Sequence, residues 1–282
     1  MNPVDFAKIL FRGMGQIMLQ NNVLTGLLFL IGILVNSWVM FVGAVLGVLV
    51  GTLAAIMLKY EKKDIENGLY GFNGALVGCA LFFFLVPDAV VLLLVIAGAI
   101  LSALVMNYML KMKLVPYTAP FVLSAWCMLA FAALTGFIAF NSLGAGVAAT
   151  LDVLSSLSMG FGQVMFQGNV ITGVVFLAAI AVNSRRAAAY ALFGCAIGVL
   201  VALALSFPLS SINAGIFGYN GVLAAIALSD GKKNALLFAG AAAALSSLVL
   251  FAFIAAGIPA LTAPFVLASW GTLALLKKPV LL

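Results

Sequence analysis

The sequence has no histidine and very little charge: of 282 residues, only 7% are Asp, Glu, Lys or Arg. Without histidine the commonest acid–base group and the commonest metal ligand are gone. An enzyme is therefore not expected, and neither is a metal or any other cofactor. The scarcity of charge excludes a soluble globular domain, which carries about 25% charged residues. Cysteine is sparse as well. Cys79, Cys127 and Cys195 lie far apart in apolar stretches, without metal-site or disulfide spacing, and read as inert packed thiols. No cleavable signal peptide is expected, because Asp5, Lys8 and Arg12 interrupt the N-terminus and no small-residue cleavage site follows a compact apolar region. The net charge of +6 does not point to nucleic acid, since the basic residues come as isolated pairs between apolar runs.

What the chain does have is apolar length. Hydrophobic residues make up 66% of it, and the mean hydropathy is +1.31. Apolar stretches of roughly 18 residues or more recur throughout, each long enough for a hydrocarbon core of about 30 Å. They are too long and too uniform for the alternating strands of an outer-membrane barrel, so the backbone must satisfy itself in helices. The expected class is an all-α integral membrane protein of the inner (plasma) membrane.

The sequence is also written twice. The run GQIMLQNNVLTG at 15–26 returns as GQVMFQGNVITG at 162–173, Asn36-Ser37 as Asn183-Ser184, and Gly71-Phe72-Asn73-Gly74 as Gly218-Tyr219-Asn220-Gly221, each 147 residues along. The block Pro116–Phe121 returns as Pro259–Phe265, with Thr118 and Thr262 144 apart. Collinear blocks of polar and turn residues are the mark of duplication.

The basic residues then orient the copies. Copy one carries Lys8/Arg12, Lys59/Lys62/Lys63 and Lys111/Lys113, and the corresponding stretches of copy two carry none. Copy two carries Arg185/Arg186, Lys232/Lys233 and Lys277/Lys278, again opposite uncharged stretches of copy one. If basic loops mark the cytoplasmic side, the copies run in opposite senses across the membrane. The expected halves are 1–139 and 151–282, joined by a linker at 140–150. Each half has five crossings and one half-length re-entrant pore helix, at about 4–18 and 152–166. Copy one crosses at about 20–36, 39–58, 67–86, 88–110 and 118–138, and copy two at about 169–183, 187–206, 212–229, 234–256 and 262–276. That makes ten crossings with both termini cytoplasmic.

An inverted repeat places its solute site near the midplane, at broken helices. Pro116 and Pro120 bracket Thr118, and Pro259 and Pro264 bracket Thr262. Proline lacks an amide proton and frees a carbonyl one turn back, so each threonine is expected to offer a hydroxyl beside freed carbonyls. A lone threonine more often back-bonds to its own helix; recurrence in both copies favours the site. Gln20 and Gln167 end the short helices and bring amides that can pair with a neutral polar solute, although each could equally cap its own helix. Asn21, Asn22 and Asn169 are expected to satisfy backbone at the break. Phe72 and Leu76, like Tyr219 and Leu223, stand one helical turn apart and could project into one passage or simply pack. No acidic or basic residue falls mid-crossing, whereas an ion-coupled carrier usually needs an intramembrane ionisable group. Passive passage of a small uncharged solute is the simpler mechanism.

Taken together, GQIMLQNN at 15–22, GLYGFNG at 68–74 and the Leu-Pro-x-x-Thr-x-Pro-Phe-like block IPALTAPF at 258–265 resemble the bacterial urea transporter family over essentially the whole chain. The resemblance implies a homotrimer with one urea pore in each subunit, in which urea files between aromatic and leucine side chains while its amides bond to an oxygen ladder. It puts Gln20 and Gln167 towards opposite mouths, Phe72, Leu76, Tyr219 and Leu223 in the slot, and Thr118 and Thr262 at the centre. Three departures stand out. Copy one has one residue fewer between proline and threonine, which suggests a displaced Thr118. The Tyr219 hydroxyl needs a partner. Gln167 stands where glutamate is also expected in the family. The alternatives are a channel for a short amide, ammonia or water, and an ion-coupled secondary transporter.

Overall fold

A computed structural model of the chain describes residues 2–142, 148–229 and 234–276. Lys232/Lys233, Lys277/Lys278 and the middle of the 140–150 linker lie outside the described residues. The chain divides into two compact units, Met1–Leu143 and Gly144–Val280. The first holds α1 (Pro3–Gln16), α2 (Val23–Asn36), α3 (Trp38–Met57), α4 (Lys62–Glu66), α5 (Gly71–Phe84), α6 (Ala89–Lys111) and α7 (Ala119–Thr135). The second holds α8 (Val153–Gly162, extended by a 3-10 turn at Gln163–Met165), α9 (Val170–Asn183), α10 (Arg185–Ala204), α11 (Leu209–Asn213), α12 (Tyr219–Ala227), α13 (Ala235–Ala255) and α14 (Ala263–Leu275). Among the described residues there is no strand beyond an isolated bridge between Leu85 and Phe140.

The element order is the same in both units, often to the residue. α2, α3 and α4 begin at 23, 38 and 62; α9, α10 and α11 begin at 170, 185 and 209, and end equally far along. The repeated polar residues explain this coincidence. Asn22 and Asn169 cap α2 and α9, their side-chain oxygens accepting from the amides of Thr25 at 2.9 Å and Thr172 at 3.1 Å. Ser37 and Ser184 end one helix and cap the next. A cap of this kind satisfies an amide that the helix start leaves without a partner.

Four helices, α3, α6, α10 and α13, are each long and apolar enough to cross a membrane alone. A fifth span is available if α8 with its 3-10 turn and α9, bent by 74° at their break, count as one. The other expected crossings rest on shorter helices: α2 and α5 have 14 residues each, α7 has 17, α14 has 13 and α12 has 9. At 1.5 Å per residue, 14 residues reach only about 21 Å. The shortening has a local cause. Left-handed residues, Leu19 and Phe166, Gly68 and Gly215, Tyr117 and Leu261, turn the backbone just before each short helix begins.

Small residues let the helices approach. A Cβ on Gly47 of α3 would lie 2.0 Å from the Gly74 carbonyl of α5, and one on Gly43 would lie 2.7 Å from that of Gly78. The second unit repeats the contact between Gly194 and Gly221, at 2.1 Å. Large apolar side chains such as Leu93, Leu134, Leu200 and Leu237 point outward and are more than half exposed. No Asp, Glu, Lys or Arg among the described residues is buried. In water such a surface would aggregate; in lipid it is the expected one. The molecule is a multi-pass membrane protein.

The start of the linker is held in place. Asn141 donates its side-chain amide to the carbonyls of Phe83 at 2.9 Å and Leu85 at 3.0 Å, closing the C-terminal end of α5.

Candidate functional site

Each unit builds the same hydrogen-bonded assembly from three places in its chain. The first is the break after α1 or α8. The backbone folds back so that the Gln20 carbonyl passes over Gly15, where a Cβ would sit 2.3 Å away. Gly162 makes the same approach to the Gln167 carbonyl, at 2.1 Å. The glycine that opens the repeated GQ block is thus required by a close backbone approach. Leu19 and Phe166 take left-handed backbone angles, φ 61° and 62°, to make the turn. Gln20 and Gln167 are buried, and each donates its side-chain amide to the carbonyl two residues back, Met18 or Met165. That local bond is the capping role weighed above, and it also fixes the plane of the carboxamide. A Cβ on Gly26 would lie 1.7 Å from the Phe11 carbonyl, so α2 packs back directly on α1; Gly173 does the same on Ser158.

The second place is the start of α5 or α12. Phe72 and Leu76 are buried one turn apart, as is Leu223 in the second unit, while Tyr219 is half-buried. Tyr219 packs against an apolar cluster that includes Ile212 and Phe217. Its hydroxyl does find a partner, donating to the Leu261 carbonyl at 2.6 Å, one residue before Thr262.

The third place is the N-terminus of α7 or α14. Thr118 and Thr262 are both buried and both occupy the cap position, with almost the same backbone angles: φ −99°, ψ 14° and φ −101°, ψ 18°. Neither side chain caps its own helix. The cap comes from the other element: Asn73 Oδ1 accepts from the Phe121 amide at 3.1 Å, and Asn220 Oδ1 from the Phe265 amide at 3.1 Å. The asparagine of the FNG/YNG block therefore does the work that a capping threonine usually does, and it ties the aromatic–leucine turn to the threonine within each unit. Sequence reasoning gave Asn73 and Asn220 no such role; their recurrence was the signal.

Two expectations about the prolines need correcting. Pro120 and Pro264 sit at the second position of their helices. There the missing amide proton is one the helix would not have used, so these prolines start a helix and do not break one. The carbonyls one turn back are not left over either, since Pro116 and Ala260 accept from the amides of Ala119 and Ala263 at 3.0 Å. Nor is Thr118 displaced. Lys113 and Gly257, both left-handed, keep the same distance to their threonines. The proline is what has moved along the chain, buried at 116 and exposed at 259.

Further polar groups join the assembly that sequence reasoning did not single out. Gln16 and Gln163 donate to the carbonyls of Asn67 at 3.1 Å and Ala214 at 2.9 Å, linking the break to the turn before α5 or α12. Ser124 on α7 and Ser269 on α14, about two turns beyond the threonines, are wholly buried with hydroxyls that meet no partner, as does the side-chain amide nitrogen of Asn220. Buried polar groups of this kind are costly unless something polar reaches them. The site thus combines neutral donors and acceptors with no buried charge.

A family model described as urea transporter matches residues 7–277. The chain is 29% identical over 301 residues to urea transporter 1 of Ovis aries, a match that covers 94% of this chain and 76% of that protein. Against urea transporter 1 of Capra hircus it is 29% identical over 296 residues, with the same coverage. Against that of Mus musculus it is 29% identical over 245 residues, covering 80% of this chain and 63% of the relative.

Proposed function

The chain belongs to the urea transporter family, and on that premise we propose that it moves urea across the inner (plasma) membrane by facilitated, uncoupled passage through each subunit. It is a transporter and not an enzyme. The observation that carries the mechanism is the assembly built twice, glutamine, aromatic–leucine turn and threonine, in surroundings without a buried charge. Stripping water from an amide without replacing its hydrogen bonds costs roughly 2–7 kcal/mol, and stripping an ion costs far more. Neutral acceptors and hydroxyls can replace the water around urea, whereas no buried carboxylate among the described residues is at hand to offset the charge of a cation.

On this reading Gln20 and Gln167 meet urea towards opposite mouths. Phe72, Leu76, Tyr219 and Leu223 flank its flat faces, and Thr118 and Thr262 accept or donate at the centre. Pro116, Pro120, Pro259 and Pro264 support the chain turns there. The two units are inverted copies with ten crossings in all and both termini cytoplasmic. The alternation of basic and uncharged loops in the sequence supports this, as does the matched element order of the two units. The bent α8–α9 pair, with α2 packed back on α1, fits half-length pore helices better than full spans. The working assembly is a homotrimer in the bilayer, with a path in each subunit.

The test is urea flux into proteoliposomes down a gradient with no added ion. Flux well above empty vesicles, independent of sodium and proton gradients, is expected. A rate equal to empty vesicles with folded protein would overturn the reading. Replacing Thr118→Val together with Thr262→Val should slow flux without loss of assembly; unchanged flux would remove the threonines from the path.

A further inference from the structure

The first unit holds an open cavity of about 500 Å³ around the end of α3, between α1 and α4. Its floor is apolar, made by Ile9, Ile56 and Ile65, and its rim carries Lys8, Arg12, Lys59 and Lys62 against Asp5 and Glu66. Two of the four cations are balanced: Lys8 lies 3.5 Å from Asp5, and Lys62 lies 3.7 Å from Glu66. Arg12 donates only to a neutral group, the Glu66 carbonyl, at 2.9 Å. Lys59 makes no ion pair among the described residues. The rim therefore carries two positive charges in excess. It lies where the apolar span of α3 ends, at the depth of lipid headgroups.

The second unit supplies an internal comparison. At the same turn, Lys59 and Ser206 both take left-handed backbone angles, φ 55° and 57°. There the counterparts of Lys8, Arg12, Lys59 and Lys62 are Ser155, Met159, Ser206 and Leu209. Leu203, Phe207 and Leu209 pack there against an apolar cluster, with the Phe207 and Phe217 rings 4.5 Å apart. In the first unit the matching rings are Tyr60 and Tyr70, 5.2 Å apart, and the space beside them is open and basic. An apolar solution is available to this backbone, and the first unit does not use it.

We propose that this pocket binds a phosphate-bearing anion, with the two unbalanced cations as its principal contacts. A guanidinium and an ammonium at the rim suit phosphate oxygens, and the isoleucine floor suits the apolar part of a phosphate ester. The chemistry is shared by an anionic phospholipid headgroup and by free phosphate, and the experiment separates the two.

The purified full chain in detergent is titrated with phosphatidylglycerol and with phosphatidylcholine and read by native mass spectrometry. In a parallel arm, thermal unfolding is followed with increasing inorganic phosphate. Neither readout involves urea flux, so failure here is distinct from failure of the transport reading. At about 1 kcal/mol per cation near a lipid surface, Arg12→Gln with Lys59→Gln should weaken retention of phosphatidylglycerol by roughly 30-fold. Lys59→Met alone, which keeps the apolar stem, should weaken it several-fold. Removing the same number of charges at the end of α6, with Lys111→Gln and Lys113→Gln, should leave it unchanged. Retention of phosphatidylglycerol over phosphatidylcholine without stabilisation by inorganic phosphate would identify a lipid; retention together with stabilisation by inorganic phosphate, both lost in the Lys59 variant, would identify a soluble anion. The proposal is overturned if the Arg12/Lys59 variant retains anion as the wild type does. It is equally overturned if the α6 control loses as much, since the attraction would then belong to basic loops in general.

Discussion

Replacing Gly47 by alanine tests how the glycine rows position the site-bearing helices. The new Cβ would lie 2.0 Å from the Gly74 carbonyl oxygen, 2.5 Å from its carbon and 2.9 Å from the Ala75 amide nitrogen. All three are backbone atoms of α5 and cannot rotate away. An ordinary contact begins near 3.4 Å, so α3 and α5 must separate by an ångström or more at that level. A radial gap of 0.5–1 Å already forfeits roughly a quarter to a half of the attraction across it, and overpacking typically costs about 1–3 kcal/mol. Alanine returns up to about 1 kcal/mol of helix propensity. A net loss of about 2 kcal/mol is expected, or roughly 4–8 °C in the thermal midpoint of the purified protein in detergent. Gly271→Ala is the matched control, because its nearest neighbour, Leu245 Cδ2, is a relaxed 3.8 Å away. Only the propensity gain remains there, and the midpoint should rise slightly. Since α5 carries Phe72 and Leu76, the Gly47 variant should also slow urea flux while the Gly271 variant does not. If the two substitutions shift the midpoint in the same direction, the close approach does not control this packing.

Three further outcomes are expected. Asn73→Leu or Asn220→Leu leaves the amide of Phe121 or Phe265 buried without its acceptor, which should cost about 1–3 kcal/mol in thermal stability and lower urea flux with it. Tyr219→Phe removes the donor to the Leu261 carbonyl and should cost about 1 kcal/mol; flux should persist, because the first unit already works with Phe72 at the matching place. Asp152 caps α8, and the Ser155 hydroxyl, followed by the Ser155 amide, holds its carboxyl below the usual carboxylate range. A carboxyl depressed in the folded state contributes stability above its unfolded value of about 3.9 and loses it as pH falls through the folded value. Asp152→Asn should therefore lower stability modestly at neutral pH and flatten the profile on the acid side of about pH 4.

Much of the site was legible because the chain states it twice. The blocks around Gln20, Phe72 and Thr118 return around Gln167, Tyr219 and Thr262, and Asn22 and Asn169, expected to satisfy backbone at the break, cap α2 and α9. What could not be read was which neighbour uses each polar group. The role of Asn73 depends on α5 crossing the start of α7, a contact 48 residues away in sequence. Proline carried the opposite ambiguity: Pro120 within an apolar run reads as a break in a long helix, yet a proline at the second position of a new helix leaves the same trace. The breaks near Leu19 and Tyr117 are legible, between the expected 4–18 and 20–36 and ahead of 118–138. The expected 67–86 and 212–229 are longer than α5 and α12, because hydropathy runs on through the left-handed Gly68 and Gly215.

The residues that the two units share have a common physical character. Gly15 and Gly162 admit a carbonyl, Gly47 and Gly194 admit a neighbouring helix, Asn22 and Asn169 cap, and Asn73 and Asn220 cap from a distance. Each closes a backbone requirement that lipid would leave open, since no water is at hand to satisfy it. The units diverge where the chain leaves the apolar core, with a basic open pocket at the end of α3 and an apolar cluster at the end of α10. The Asn73 cap shows the consequence for transport. With Phe121 capped by Asn73 and Phe265 by Asn220, the threonine in each unit is relieved of the structural duty that its position would impose. It stands at a helix start, buried and neutral, and its side chain does not cap that helix.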